Sequence, residues 1–188
     1  MRPIPGTRER GVGIVEVLVA LVVVSLGVLG IAGLQLTGMR HGTGSLNRTV
    51  ALSLAEDLAE RMRVAADAPA GLSGYAGFDS ASQPATFCDA APSPHCDAAP
   101  GNAAQSCTPA QLAAFDLAVI ACGTGAWTSG AEGTGVIGGA LPEGSFSVTC
   151  DATPCTASDT RTISVGWKEG EDEAGNDVSR SVTMRLRP

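Results

Sequence analysis

The chain is short of aromatic side chains, of histidine and of positive charge, and each shortage excludes something. Its 188 residues include four Phe, two Trp and one Tyr, none before Tyr75, so a large conventional core is not available. Only two histidines occur, His41 in a Gly-rich segment and His95 in a loop-like one. No catalytic triad can be drawn from them, and no enzyme activity is expected. Lys and Arg number 12 against 19 Asp and Glu, a formal net charge of −7. That excludes a sequence-wide basic surface, and with it nucleic acid as a partner. Cofactor motifs are also missing: GTGVIGG, Gly133 to Gly139, follows no predicted strand, opens no helix and lacks a Lys, so it is no phosphate loop. The chain is nevertheless no disordered polymer, because 44% of it is hydrophobic even with 24 Gly and 11 Pro.

Much of that apolar content lies in one early run. From Val17 to Leu34 there is no charge, and extending back to Ile14 adds only Glu16, which is length enough for one membrane span. Arg2, Arg8 and Arg10 against Glu9 form a basic flank in front of it, so the N-terminus stays cytoplasmic and the rest crosses. A secretory signal peptide would end its apolar region in an A-x-A pattern, whereas Ala32-Gly33-Leu34-Gln35 leads on into another helical pattern. Glu16 stands out, since a carboxylate inside such a segment costs roughly 2.5 kcal/mol or more unless it lies at the interface or meets a cation.

Gly11-Val12-Gly13-Ile14-Val15-Glu16, a basic leader ending in Gly and then a glutamate inside an apolar helix, resembles the class III signal of type IV prepilins. The resemblance implies that a membrane prepilin peptidase cuts between Gly11 and Val12, that Val12 becomes the methylated N-terminus, and that Glu16, then the fifth residue, docks the subunit by attracting the amine of its neighbour. Val12 and Gly13 depart from the family's usual Phe and Thr. Gly27, Gly30 and Gly33 recur every third residue, and Ala20, Ser25 and Ala32 add small side chains that let another helix approach. No Pro interrupts the span. Gly38, Gly42 and Gly44 then lower helix propensity by about 1 kcal/mol each relative to Ala, and fraying or a hinge is expected there, with His41 exposed beside it.

Beyond that point Leu46, Val50, Leu54, Leu58 and Met62 recur at i, i+4, with Ala51 and Ala55 alongside, opposite Arg48, Glu56, Asp57, Glu60, Arg61 and Arg63. This predicts an amphipathic helix whose charges form a solvated face. Its wording, ALSLAEDLAERMR from Ala51 to Arg63, is similar to the PilV group of minor pilins, the type IV pilus modification proteins; CTPAQLAAFDLAVIACG resembles that group more weakly. The signal alone does not separate a minor pilin from a pseudopilin of type II secretion, which this second motif favours separating.

All six cysteines, Cys88, Cys96, Cys107, Cys122, Cys150 and Cys155, lie beyond the span, and such one-sided usage reads as disulfides in an oxidising compartment. Fifteen connectivities are open. Cys150 and Cys155 enclose the turn-forming Asp-Ala-Thr-Pro and are the first pair expected; proximity alone would then join Cys88 to Cys96 and Cys107 to Cys122. Zinc at His95 and Cys96 is disfavoured, because there is no C-x-x-C and no second nearby His, and no metal is expected. Residues 68 to 104 are rich in Ala, Gly, Ser and Pro and contain CDAAP twice, at Cys88 and at Cys96, which reads as stapled loop. Thr108-Pro109-Ala110-Gln111 carries an N-cap, a Pro at the first helical position and a capping-box Gln, predicting a short helix from Pro109 to about Ala121 that buries Leu112, Phe115 and Val119. Segments 146–150, 162–167 and 178–186 alternate as half-buried antiparallel strands. Between the last two, Lys168 to Asp177 carries five acids in a turn, where calcium ligation is an alternative to a solvated hairpin tip, although the spacing is not that of an EF-hand.

The expected fold is therefore α+β: a type IV pilin-like ladle in which one long helix, transmembrane then amphipathic, packs on a small antiparallel sheet with disulfide-stapled loops. The expected division is a leader at 1–11, a membrane helix at 12–36, the amphipathic half at 37–66 and a periplasmic or extracellular domain at 67–188. The expected role is that of a minor pilin in priming or tipping a type IV pilus. Its partners would be the prepilin peptidase, other minor pilins and the major pilin, a tip adhesin, the assembly platform and the inner membrane. A pseudopilin of type II secretion is the alternative, and a simple uncleaved anchor displaying a binding domain is a third reading.

Overall fold

The structure is a computed structural model, and it describes residues 13–67, 72–84, 86–97, 103–123, 127, 135–156, 158–172 and 174–187, with the side chains of residues 40, 41 and 138 left aside. In chain order it contains helix α1 (Ile14–Ala66), strand β1 (Phe78–Asp79), a 3-10 turn (Ser80–Ser82), helix α2 (Pro109–Cys122), a short irregular helical turn (Val136–Ala140), and strands β2 (Ser145–Cys150), β3 (Arg161–Glu171) and β4 (Asp177–Leu186). The class is α+β, a long N-terminal helix with a small antiparallel sheet. Contacts divide the chain between Thr43 and Gly44 into two compact units.

The described part of the first unit is helix alone. Its hydroxyls are satisfied locally: Ser25 Oγ donates to the Leu21 carbonyl at 2.6 Å, Thr37 Oγ1 to Gly33 at 3.0 Å and Thr43 Oγ1 to Met39 at 3.0 Å, so these polar atoms need no water. The helical assignment continues through Gly38, Gly42 and Gly44, so of the expected fraying or hinge the fraying is not seen, while the boundary between the two units falls at Thr43 and Gly44. A glycine weakens a helix but leaves its backbone ladder intact, unlike a proline.

The second unit holds the core. On α1 the buried line is Ala51, Ala55, Leu58, Ala59, Met62 and Ala65, while Leu46 is 62% exposed and Val50 and Leu54 are half-buried. The expected stripe was therefore wrong at its start, for a geometrical reason. Strict i, i+4 spacing advances about 40° beyond a full turn at each step, so five such residues drift round the helix by roughly 160°. No single face can bury both Leu46 and Met62. Alternating steps of three and four keep the alanine-lined face turned inward, and the small side chains let neighbours come close.

α2 starts where its residues require. Thr108 Oγ1 accepts from the Gln111 backbone N–H at 3.3 Å and Gln111 Oε1 accepts from the Thr108 N–H at 2.9 Å, a reciprocal box worth about 1 kcal/mol. The helix buries more than one side. Phe115 and Val119 are buried as expected and Leu112 is only half-buried, but the residues that α2 gives to the hydrophobic core are Ala113, Leu117, Ile120, Ala121 and Cys122. The Phe115 face is covered from two segments: His95 of the stapled loop lies edge-on to Phe115, with centroids 5.5 Å apart, and Trp127, beyond α2, lies 6.3 Å from it.

The sheet is a meander in the order β1-β2-β3-β4, every pair antiparallel. Strands β2 to β4 sit where alternation places them, with Phe146, Val148, Ile163, Val165 and Trp167 turned into the core. β1 is an addition to the expected strands; two residues are too few to show a period. It pairs Phe78 with Val148, and the Phe78 ring meets Phe146 at 4.9 Å. A bulge between Lys168 and Gly170 ends the regular register of β3 with β4, with Gly170 at φ 154, where a side chain would be strained.

Candidate functional site

Gly11 and Val12, the residues of the expected cleavage and methylation, lie outside the described residues. Glu16 is described: it stands exposed in the first turn of α1, its backbone N–H bonded to the Gly13 carbonyl at 3.0 Å. A carboxylate there favours the positive end of the helix dipole. It is the only charged side chain from Gly13 to Met39. Every large apolar residue over that stretch is open, from Val17 at 48% exposure to Ile14 at 82%. An ideal Cβ built on Gly27, Gly30 or Gly33 meets nothing within 4 Å, so this glycine strip faces open space. An apolar surface of this extent needs lipid or other helices over it.

Three disulfides staple the second unit: Cys88–Cys122, Cys96–Cys107 and Cys150–Cys155. Two pairs drawn from proximity, Cys88–Cys96 and Cys107–Cys122, are thereby corrected. α2, with 14 residues, fills the gap between Cys107 and Cys122 and holds them roughly 20 Å apart, whereas a bridge needs Cα atoms within about 7 Å. Cys107, ahead of the N-cap, instead bridges to Cys96. Cys122, fully buried at the far end of α2, anchors Cys88 to the core. Cys96 is thus oxidised and cannot serve as a zinc thiolate. The same holds for Cys150 and Cys155, which converge with Asp159.

One polar cluster escaped the sequence reading. Arg61, expected on a solvated face, donates from Nη1 to Asp116 Oδ1 at 2.9 Å and from Nε to Asp57 Oδ1 at 3.0 Å. Tyr75 donates its hydroxyl to the other oxygen of Asp116. Asp116 is 4% exposed and Tyr75 fully buried, so the carboxylate ties α1, α2 and the turn around Tyr75 together. Burial first, and then the bond and charge of Asp116, push the Tyr75 hydroxyl far above its ordinary value of 10.0. Burial works against the Arg61 guanidinium, but its bond to Asp116 and the charges of Asp57 and Asp116 outweigh that and raise its pKa. The available signal was an aspartate among the apolar residues of α2, which a helix buried all round must pair. Arg161, fully buried, likewise donates to the carbonyls of Asp159 and Thr156 at 3.0 and 3.1 Å and so ties the residues just ahead of β3 to its first residue. Burial lowers its pKa, against the raising charge of Asp159.

The acidic turn organises itself. Asp172 Oδ1 accepts from the backbone N–H groups of Ala174 and Asn176 at 2.9 and 2.8 Å, and bonds from the Asn176 side chain and backbone hold its carboxyl below the usual range. Lys168, the single lysine of the chain, reaches Asp177 at 2.6 Å, Glu143 at 3.3 Å and Glu171 at 3.7 Å. Its pKa is raised, most by Asp177. A cation thus already sits among the carboxylates where calcium was an alternative; Glu173 lies outside the described residues.

Comparison with known proteins adds one finding. Residues 33–118 match the family model Tt1218-like, type IV pilin Tt1218. The match starts at the end of the apolar run, spans the amphipathic half of α1 and continues into α2, and it supports a type IV pilin. No curated protein and no solved structure matches the chain.

Proposed function

We propose that this chain is a minor pilin of the PilV group, made as a membrane-stored prepilin and taken up into a type IV pilus as part of its priming or tip complex. The observation that carries this reading is the exposed apolar stretch of α1 up to Met39 with Glu16 as its one charge, in a chain whose residues 33–118 match a type IV pilin model. In this reading the prepilin peptidase removes residues 1–11 after Gly11, and Val12 is methylated. Residues 12–36 hold the chain in the inner membrane with the C-terminal domain outside it. Glu16 then draws the amine of a neighbouring subunit, because a carboxylate in an apolar medium is strongly stabilised by a partner cation. The open strip at Gly27, Gly30 and Gly33 gives other pilin helices a close approach. The stapled domain meets other minor pilins, the major pilin or a tip adhesin, and needs no cofactor or metal for such work.

Intact mass and N-terminal sequence of protein taken from its native membrane test the processing step. A chain starting at methylated Val12 supports it, and a chain still starting at Met1 refutes it in favour of an uncleaved anchor. Glu16→Ala tests docking. The variant is expected to insert into the membrane at the normal level yet be lost from sheared pili, and normal incorporation would remove the docking role.

A further inference from the structure

Within the second unit a cleft of about 450 Å³ opens between the Gly44–Arg48 turn of α1 and the ends of β3 and β4. We propose that this cleft is an anion site for phosphate, supplied by an acidic lipid headgroup or free in solution.

Its wall carries two arginines, Arg48 and Arg180. Arg48 makes no ion pair or hydrogen bond among the described residues. Arg180 stands directly across from Trp167 in the β3–β4 register, so the two side chains share one face of the sheet. Its Nε is held by Glu169 Oε2 at 2.6 Å, while its terminal nitrogens make no bond among the described residues. Trp167, 4% exposed and part of the hydrophobic core, forms the apolar floor of the cleft between the two arginines. Glu169 is the one acid of the wall; its Oε2 holds Arg180, and its Oε1 lies against Gly44, within 2.5 Å of where a Cβ there would stand. The lining therefore carries two guanidinium groups against one carboxylate, in a chain whose net charge is −7. Several donors converging from two guanidinium groups suit an anion with several acceptor oxygens, and Arg is the residue whose planar fork matches phosphate.

The position in the chain favours a lipid source. The apolar run ends at Leu34, and Gly44 follows ten residues later, on the outer side of the span, where the headgroups of that leaflet are the nearest anions. That source rests on the membrane-anchored reading above; the phosphate chemistry does not.

The test is calorimetric titration of the full chain in neutral detergent with dihexanoyl-phosphatidylglycerol, dihexanoyl-phosphatidylcholine and inorganic phosphate. Phosphatidylglycerol is expected to bind, with phosphatidylcholine weaker by roughly tenfold or more. R48Q and R180Q are each expected to weaken binding by about tenfold, the scale of one charge-assisted hydrogen bond. R63Q, on an exposed residue outside the cleft, should bind as the parent does, and unchanged melting temperatures show that the variants remain folded. If inorganic phosphate competes with phosphatidylglycerol, the site takes free phosphate; if it does not, the headgroup is the ligand. Phosphate binding that R48Q weakens upholds the site even should the chain prove not to be a pilin. Equal binding of the two lipids, or binding indifferent to both R48Q and R180Q, overturns the proposal, the latter pointing to an acidic protein partner or none.

Discussion

At the scale of single residues, Asp116 decides most. It holds two donors from two other parts of the chain, and removing it leaves Arg61 Nη1 and the Tyr75 hydroxyl without their acceptor, while Arg61 Nε keeps Asp57. Breaking a fully buried pair costs about 3 to 5 kcal/mol, and the Arg61 side chain retains 27% exposure. Asp116→Ala is therefore expected to lower the unfolding free energy by about 2 kcal/mol, whereas Arg63→Ala, which breaks only an exposed pair with Glu60, should change it by less than about 0.5 kcal/mol. Denaturant titration of both variants measures the contrast. Tyr75 offers an independent reading because it is the single tyrosine. Its folded pKa is raised above the unfolded value of 10.0, so the stability it contributes is fully present below pH 10 and falls as pH rises beyond that. Tyrosinate absorbance is expected to appear only together with unfolding, and a reversible titration near pH 10 in the folded protein would contradict the buried hydroxyl. Asp116 was visible in the sequence as an acid within an apolar helix, but its partners were not, since Tyr75 and Arg61 come to it from 41 and 55 residues away.

At the scale of elements, local rules worked wherever their reach was short. The capping box at Thr108 and Gln111 acts over three residues, and α2 begins where it says. Strands β2 to β4 follow from period two. The amphipathic half of α1 was recognised as a helix, yet its buried face was misplaced because a strict i, i+4 line winds around the cylinder. Leu58 is fully buried and Leu46 is 62% exposed. Leu58→Ala should thus cost about 3 kcal/mol and Leu46→Ala less than about 0.5 kcal/mol; equal losses in thermal unfolding would show that the face has been assigned wrongly. The cysteines carry the same lesson. Short separation suggested Cys107–Cys122, but the helix predicted between them already spans too far for a bridge. Two correct local facts, a helix and a pair of thiols, had to be combined in three dimensions before the pairing followed.

At the scale of the molecule, the two units divide their work. Among the described residues, the first exposes its large apolar side chains; the second contains the buried core and three disulfides. A fragment from Gly44 to Pro188 is expected to be soluble without detergent, to keep its three bridges and to unfold cooperatively. Aggregation of that fragment, or reduction of its bridges without loss of stability, would show that the core depends on the first unit. The full chain should require detergent or lipid throughout.

The division between sequence and tertiary structure follows range of action. Length and hydropathy along the chain determined the apolar helix with its lone Glu16, the α+β class, the capped helix and the strand meander, because each arises from neighbours within a few residues. Which face of α1 is buried, which cysteines meet, how Asp116 and Arg161 are satisfied, and the donor-rich cleft beside Trp167 were decided only by folding. Each of these joins residues distant in the chain, and their meeting depends on the packing of whole elements against one another rather than on any local pattern.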